Sequence, residues 1–274
     1  MPDFQPFEIV AGDEGKALVL LADHARKDLP ARYGDLGLPA SAFARHIAYD
    51  IGVEGVTRRL AESLGVPAVL GGFSRLLIDP NRGEDDPTLI MKISDGAIIP
   101  ANHPLSAEEA AYRLDNFHRP YHRAVAATIA AVEEKSGRAP LVISIHSFTP
   151  RWKETPRPWQ VGILWDSDPR AVRPLIEALS ADPGLKVGDN EPYDGALGGD
   201  TMFTHCTSEG LAHALIEIRQ DLIADANGQH AWADRLAPIL DAMNAEPDLH
   251  VRQMHGSRTG LLDEPSACRK GELR

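Results

Sequence analysis

The sequence predicts an α/β fold in which helices cover both faces of a mostly parallel sheet. Three observations support this prediction: the chain has 274 residues, 43% of them are hydrophobic, and short apolar runs alternate with longer segments of helical periodicity. Such alternation is typical of parallel sheets buried on both faces, and a chain of this length can bury a large core. Because no linker rich in Pro, Gly or Ser divides it, we expect one domain over residues 1–274, with a peripheral tail after about residue 250.

The first half of the chain predicts a strand, a helical region and a second strand region. Residues 17–22 (ALVLLA) form a continuous apolar run of strand length, as expected for a buried strand. Residues 39–64 have helical spacing and predict one or two helices, followed by Gly65 where a C-cap glycine belongs. Residues 66–78 are again apolar and predict two strands, or one long strand bent at a Gly-Gly pair.

The second half of the chain continues the alternation. Ser106 opens a capping box that predicts a long helix to about Lys135. Asp168 and Pro169 predict the start of another helix, because proline is favoured in the first turn, and a final helix is predicted over residues 229–244. The strands predicted in this half are 140–148, 159–165 and 211–218.

The charge balance limits the partners of this protein. The 28 Lys and Arg residues are outnumbered by 40 Asp and Glu residues, which gives a formal net charge of −12. An acidic surface repels phosphate backbones and anionic headgroups, so we expect neither a nucleic-acid partner nor membrane binding. The expected partner is a small molecule, and the sequence leaves the oligomeric state open, a homo-oligomer included.

Cysteine content and the N-terminal sequence predict a cytoplasmic location. Cys206 and Cys268 are the only cysteines, too few for a disulfide framework and without the spacing of a zinc site. Residues 1–15 have neither a basic segment nor a long apolar segment, so we expect no signal peptide. The longest apolar run, 17–22, is too short to cross a bilayer.

Two histidines stand at the ends of predicted strands, where open α/β sheets bind their ligands. His24 follows the strand 17–22, and His146 lies near the end of the strand 140–148. A single histidine after a strand is commonly a hydrogen-bonded loop residue. Two of them on neighbouring strands can converge on one metal ion, and neutral imidazole is a natural zinc ligand.

A catalytic zinc ion requires a third protein ligand, and the segment RHIAYDIG offers two candidates. His46 and Asp50 are four residues apart, so we expect them on one face of a helix. Asp50 lies among apolar residues, which favours a functional role, and a surface aspartate is the alternative. The predicted ligand set is therefore His24, Asp50 and His146, with His46 as the substitute third ligand.

Glu217 interrupts the apolar run ALIEI, where an unpaired carboxylate is energetically unfavourable. One explanation is a structural ion pair with Arg219, which shares its face of the predicted strand. The other explanation is a general base beside a metal-bound water.

The segment SRLLIDPNRG contains groups suited to recognising carboxylates and carbonyl oxygens. Arg75 and Arg82 carry planar guanidinium groups, and Asn81 provides a neutral donor. An ordinary turn is the alternative, since Asp-Pro-Asn is strong turn chemistry. His118 and His122 in HRPYH have a metal-like spacing, but no glutamate lies between them as in HExxH, so we expect a supporting or surface role.

Motifs for other chemistries are absent from the sequence. It contains no GxSxG nucleophile elbow, no GxGxxG and no GxxxxGK[ST], which leaves serine hydrolases and nucleotide-binding enzymes without support. The glycine-rich segment 195–200 (GALGGD) is interpreted as a flexible active-site loop.

These segments together resemble the N-formylglutamate amidohydrolase family. The resemblance covers residues 22–222 and consists of ADHA (22–25), DIG (50–52), SRLLIDPNR (74–82), HRPYH (118–122), IHS (145–147) and ALIEIRQDL (214–222). It implies a three-layer α/β/α sandwich with a mixed, mostly parallel sheet, the fold of zinc carboxypeptidases and aspartoacylase-like deacylases. It also implies a zinc-dependent amidohydrolase that cleaves a small N-acyl amino acid, as in the conversion of N-formylglutamate to formate and glutamate.

The resemblance also implies a role for each candidate residue. The implied metal ligands are His24, Asp50 and His146, the catalytic residues are Glu217 as base and Arg75 at the scissile carbonyl, and the residues that bind the substrate carboxylate are Asn81 and Arg82. The chain departs from the HxxE motif of the carboxypeptidases, because Lys27 occupies the position of the glutamate. The third ligand is therefore sought at Asp50, or at His46 in its place.

Two other functions stay open at this point. A zinc carboxypeptidase-like hydrolase of peptides or cell-wall fragments would share the fold. A non-catalytic binding protein would keep the fold without the activity, and an ion pair between Glu217 and Arg219 would favour it.

Overall fold

Eleven strands and six α-helices are assigned in the computed structural model, which describes residues 4–262. The strands are β1 (Phe7–Val10), β2 (Leu18–Ala22), β3 (Ala68–Gly71), β4 (Ile93–Ser94), β5 (Ala97–Ile98), β6 (Leu141–Phe148), β7 (Arg151–Trp152), β8 (Thr155–Pro156), β9 (Val161–Leu164), β10 (Val187–Asp189) and β11 (His213–Arg219). The helices are α1 (Val53–Leu64), α2 (Ala107–Arg113), α3 (Arg119–Ser136), α4 (Val172–Ser180), α5 (Thr201–His205) and α6 (Ala226–Asn244).

Seven of these strands form one sheet in the order β1-β3-β2-β6-β11-β9-β10, and the other four form two short hairpins. The central strands β3, β2, β6 and β11 run parallel to one another. At one edge β1 is antiparallel to β3, and at the other β9 is antiparallel to β11 and parallel to β10. The sheet is therefore mixed and mostly parallel, and the carboxyl ends of its four central strands lie at the same edge.

Alternate residues of the central strands face two separate cores. Leu18 and Leu20 of β2 pack into a core with α1, α4 and α6. Val19 and Leu21 of the same strand pack into a second core with α3. Helices on both faces bury every residue of β2, which explains why its sequence is a continuous apolar run. The predicted α/β/α sandwich is confirmed.

The long helix predicted from residue 106 begins as expected but contains an irregular turn. Ser106 accepts a hydrogen bond from the backbone N–H of Glu109 at 3.2 Å, as an N-cap residue should. A π-helical turn over Leu114–His118 joins α2 to α3. Turns of this type are frequent at functional sites.

The prediction of a second strand within residues 66–78 is wrong. Only the first part pairs, as β3, and the apolar residues that follow form a buried turn. Side chains satisfy the carbonyls of this turn in place of a strand: Asn102 Nδ2 donates to the Leu76 oxygen and Arg113 Nη1 donates to the Leu77 oxygen, both at 2.9 Å. Hydrophobicity alone does not distinguish such a turn from a strand.

The helical prediction for residues 39–64 is correct at its two ends but not between them. A short 3₁₀-helix forms over Ala40–Ala44, and α1 ends at Gly65, whose φ of 64° is the left-handed conformation of a C-cap. Residues 45–52 form turns instead. The expectation that His46 and Asp50 share a helix face is therefore wrong.

The other predicted elements agree with the structure to within a few residues, although α4 begins at Val172, later than the Asp-Pro pair that was predicted to start it. Cys206 is buried and free, and Cys268 lies outside the described residues. Within residues 4–262 no helix has both the length and the apolar character needed to cross a membrane.

Candidate active site

Three of the predicted site residues meet at the carboxyl edge of the sheet. His24 follows β2, His146 belongs to β6 and Glu217 belongs to β11. Because β2, β6 and β11 are parallel, the ends of these strands converge, as expected for open α/β sheets. His24, His146 and Glu217 are all buried.

Asp50 reaches the same place from the turn that precedes α1. Its backbone N–H donates to the carbonyl oxygen of His24 at 2.9 Å, which ties the turn to the end of β2. Gly52 has a φ of 84°, and a Cβ atom there would lie 2.1 Å from the carbonyl oxygen of Ile223. Only glycine fits this close approach in a left-handed conformation, so the DIG sequence has a structural reason.

His24, Asp50 and His146 form a group that could hold a metal ion. One ligand atom from each residue lies within 4.8 Å of the other two. Asp50 Oδ2 is 3.4 Å from His24 Nδ1 and 2.9 Å from His146 Nδ1. His24 Nδ1 is buried and has no hydrogen-bond partner in the described chain, which leaves its lone pair available to a cation.

Two further aspartates orient the histidines. His24 Nε2 donates to Asp79 Oδ1 at 2.6 Å, and His146 Nε2 donates to Asp23 Oδ2 at 2.8 Å. With the Nε2 atoms held in this way, both Nδ1 atoms face Asp50, and His146 Nδ1 lies within hydrogen-bond distance of Asp50 Oδ2. Metal-binding histidines usually carry such a carboxylate partner, because it fixes the tautomer and the ring orientation. The donor set therefore fits a divalent metal of the zinc type.

Neither supporting aspartate was assigned this role from the sequence. Asp23 precedes His24 directly, and its position at a strand end was the available signal. It also accepts hydrogen bonds from Tyr121 Oη at 2.8 Å and Thr201 Oγ1 at 2.6 Å. Partners this distant in the chain cannot be recognised from spacing.

The electrostatics of the group favour a bound cation. Burial raises the pKa of Asp23 and Asp50, but nearby His146 and His24 outweigh this effect and lower both pKa values below their usual range. Burial also raises the pKa of Asp79, and the charges of Arg75 and His24 bring it well below its usual value. Three ionised carboxylates thus surround the histidines in a buried setting, where positive charge is stabilising, whether on the imidazole rings or on a cation that they bind.

Glu217 has the properties of a general base. Burial raises the pKa of its carboxyl to about 7, in spite of opposing charge from His146. Its Oε2 atom is buried without a hydrogen-bond partner in the described chain. Arg219, its proposed structural partner, instead pairs with Asp221 at 2.7 Å. The structural ion pair that the sequence left open is therefore absent.

The buried turn after β3 carries the predicted substrate-binding groups into the cleft. Arg75 Nη2 is 2.7 Å from Asp79 Oδ2, and Arg75 Nη1 is 3.5 Å from Asp50 Oδ1. Asn81 Oδ1 accepts the backbone N–H of Thr201 at 3.0 Å. Arg82 lines the cleft and makes no salt bridge with any described carboxylate; its guanidinium donates to Thr88 Oγ1 at 3.2 Å and to the Asn81 carbonyl oxygen at 2.7 Å.

The other histidines considered from the sequence are not part of the group formed by His24, Asp50 and His146. His46, the substitute third ligand, lines the cleft but lies 3.8 Å from Asp95 Oδ2 and is one-third exposed. It does not join His24 and His146, because residues 45–52 form turns rather than a helix. His118 and His122 are largely buried behind the turn that bears Arg82, which agrees with a supporting role.

One cleft of about 410 Å³ contains this arrangement. Its lining includes all seven residues of the predicted set, which are His24, Asp50, Arg75, Asn81, Arg82, His146 and Glu217. The glycine-rich segment contributes Gly195, Leu197 and Asp200, and burial raises the pKa of Asp200 to about 7. Two residues that sequence reasoning missed, Trp152 and Tyr193, form an aromatic part of the wall.

Comparison with known proteins shows which family the chain is similar to. A family model described as N-formylglutamate amidohydrolase matches residues 16–224. The gene product Atu2144 from Agrobacterium tumefaciens is 31% identical and superposes with a TM-score of 0.81, over 89% of this chain and 96% of that one. N-formylglutamate amidohydrolase from Ralstonia eutropha JMP134 is 22% identical with a TM-score of 0.65, over 87% and 97% of the two chains, which supports the fold. No functionally curated protein matches the sequence significantly.

The matched region runs past both ends of the site, from before His24 to beyond Glu217. It covers most of the chain and includes every segment that carries the cleft residues. This chain therefore belongs to the N-formylglutamate amidohydrolase family and is a hydrolase that acts on amide bonds.

Proposed function

We propose that this protein is a metal-dependent amidohydrolase that removes the acyl group from a small N-acyl amino acid of the N-formylglutamate kind. The observation that carries the proposal is the position of Glu217, whose unpaired Oε2 lies in the same cleft as the His24, Asp50 and His146 group. A carboxyl group with a pKa of about 7 can accept a proton at neutral pH and release it again.

The metal is proposed to be zinc, because two imidazoles and one carboxylate are a common catalytic zinc set. A divalent cation held by His24, Asp50 and His146 would supply Lewis acidity and would lower the pKa of a water molecule bound to it. Asp23 and Asp79 keep both imidazole rings in the orientation that this requires.

The chain's own residues account for substrate binding. Arg82, whose guanidinium bonds only to neutral groups among the described residues, would bind the substrate carboxylate through charge-assisted hydrogen bonds. Asn81 uses its Oδ1 for Thr201, so its Nδ2 group is left as the donor toward the substrate. Fixing the carboxylate in this way would hold the amide near Glu217 and make the attack nearly unimolecular.

Glu217 would then move the proton. The attacking water oxygen forms a bond to the acyl carbon while Glu217 Oε2 accepts a proton from that water. Arg75, which stays cationic beside Asp79 and Asp50, supports the negative charge that develops on the carbonyl oxygen. The C–N bond breaks as Glu217 returns the proton to the amine, which releases a small carboxylic acid and a free amino acid.

Replacement of Glu217 by Gln tests the proposal. The variant keeps the shape of the side chain but cannot accept a proton, so we expect turnover to fall by roughly 10²–10⁴. Zinc content should be unchanged, since Glu217 is not a proposed ligand. The thermal midpoint should be unchanged or higher. Turnover is measured with a panel of N-formyl and N-acetyl amino acids and with dipeptides, which separates this activity from that of a carboxypeptidase-like enzyme.

The matched control is Glu177→Gln, the same chemical change on the exposed face of α4. It should leave turnover, zinc content and midpoint unaltered. A destabilised Glu217→Gln protein with full turnover would defeat the assignment of the base.

A further inference from the structure

Three histidines lie directly behind the turn that bears Asn81 and Arg82. His118 Nε2 is 2.8 Å from the carbonyl oxygen of Arg82, and His122 Nε2 is 2.9 Å from that of Pro80. These two carbonyls flank Asn81, so the backbone on both sides of it is held. His205, at the end of α5, completes the group with its Nε2 atom 2.8 Å from His122 Nδ1.

Hydrogen-bond chemistry fixes the protonation of this cluster. A carbonyl oxygen only accepts, so Nε2 must carry the hydrogen in both His118 and His122. His122 Nδ1 is then an acceptor, and His205 Nε2 donates to it. Burial lowers the pKa of His122 to about 3 and that of His205 to about 4, which keeps both rings neutral around pH 7. The cluster therefore presents fixed neutral donors to the turn.

The same turn is held from its other side by the start of α5. The backbone N–H of Thr201 donates to Asn81 Oδ1 at 3.0 Å, and Thr201 Oγ1 donates to Asp23 Oδ1 at 2.6 Å. The first residue of α5, Thr201, thus hydrogen bonds to Asn81, and its last residue, His205, hydrogen bonds to His122. The glycine-rich segment leads directly into α5, so both cleft loops share this support.

The support matters because Asn81 and Arg82, which it holds, line the cleft. Arg82 donates only to Thr88 Oγ1 and to the carbonyl oxygen of Asn81 among the described residues. Neither partner is charged, and neither would fix the guanidinium as a carboxylate would. The direction of Arg82 therefore depends on the backbone that carries it, and this backbone is set by His118 and His122.

We propose that His118 and His122 are positioning residues that preorganise Asn81 and Arg82 for a ligand carboxylate. This inference rests on the proposed function for the identity of the carboxylate, which is that of an N-acyl amino acid. Neither histidine contacts the reacting atoms. Their loss should thus weaken recognition of the carboxylate and leave the chemical step intact.

The test compares His118→Leu with His118→Gln in the zinc-loaded full-length protein. Gln places its Nε2 donor about as far from the backbone as the imidazole Nε2, whereas Leu has no donor. With an N-acyl glutamate that the wild type hydrolyses, His118→Leu should raise KM by about tenfold or more while kcat stays within about twofold. His118→Gln should keep the KM of the wild type, and the diamide of the same substrate, which has no carboxylate, should show no change.

His250→Leu is the matched control. Like His118, His250 is buried and hydrogen bonds to backbone carbonyl oxygens, here those of Ala139 and Asn244, but it bonds to no residue of the turn. If His118→Leu does not fold, His118→Asn serves instead, because its shorter amide cannot reach the Arg82 oxygen. The proposal is overturned by an unchanged KM, by equal losses for acid and amide, or by the same KM increase in His250→Leu.

A binding measurement separates this proposal from the proposed function. Calorimetric titration with free glutamate should show weaker binding to His118→Leu than to the wild type and to His250→Leu. If the wild type hydrolyses no N-acyl amino acid but shows this binding pattern, the function fails and the positioning role stands. A wild type that binds no glutamate overturns the positioning role, because the turn would then not be a carboxylate site.

Discussion

Glu217 and His146 are direct neighbours in the parallel strands β11 and β6, with their Cα atoms in register. Residues in register on parallel strands project from the same face of the sheet, so the carboxyl group of Glu217 lies beside the imidazole ring of His146. Both strands are buried along this stretch, and a shift by one residue would exchange the side chains that pack in the two cores. The sheet core therefore determines the spacing of the two groups.

Zinc content provides the first prediction. Replacing His146 or Asp50 by alanine should abolish stoichiometric zinc binding, because the two remaining ligands would hold the ion too weakly. Asp79→Asn should keep the ion but weaken its binding by about 10–100-fold, because a partner that orients His24 is lost. Atomic absorption after dialysis measures both effects. His46→Ala is the control, and loss of zinc in that variant would contradict the ligand set.

Arg82 provides the second prediction. Arg82→Ala should raise KM strongly for a substrate with a free carboxylate and much less for the same substrate as an amide, because only the first loses a charge-assisted hydrogen bond. Steady-state kinetics with the two substrates measures the difference. Arg173→Ala, on the exposed face of α4, should change neither value. Equal losses for both substrates would instead indicate a structural role for Arg82.

The buried histidines predict how stability depends on pH. In the native protein the pKa values of His122 and His205 are about 3 and about 4, below the ordinary value of 6.5. Between these values the unfolded chain binds protons at both histidines that the native chain does not, so their contribution to stability is full above about pH 6.5 and falls as the pH decreases toward 4. Glu217 and Asp200, whose pKa values burial raises to about 7, contribute in the opposite direction over the same range. Each histidine contributes up to roughly 1.4 kcal/mol per pH unit to the slope of the free energy of unfolding against pH.

Urea unfolding of EDTA-treated protein at several pH values between 7 and 4 measures this slope without a contribution from metal release. His205→Gln should change the slope by up to one proton relative to the wild type, since the proton that His205 takes up on unfolding is removed. A slope that is the same in the wild type and the variant would show that His205 is already protonated in the native state.

The buried turn after β3 provides a stability prediction. Asn102 Nδ2 donates to the carbonyl oxygens of Leu76 and Met91, and its Oδ1 accepts from Arg113 at 2.6 Å. Asn102→Ala would leave these buried groups unpaired, so we expect a loss of about 2–4 kcal/mol in the free energy of unfolding. Asn116→Ala, at an exposed position of the neighbouring helical turn, should cost less than about 0.5 kcal/mol in the same urea experiment.

The sequence by itself determined the sheet core and most of the candidate site. Continuous apolar runs predicted β2, β6 and β11, because strands covered on both faces have no exposed side. His24, His146 and Glu217 stand out against such runs, since polar groups inside them require a reason. Their roles as ligands and base stay predictions until zinc content and turnover are measured.

Only the tertiary structure decided which polar groups pair. Asp50 and not His46 joins the two histidines, because the segment between them forms a turn that hydrogen bonds to the end of β2. Asp23 and Asp79 orient the rings, and the buried turn replaces the expected strand, through contacts between residues far apart in the chain. Local spacing carries information about residues on one helix or strand, whereas these pairings depend on how separate segments pack.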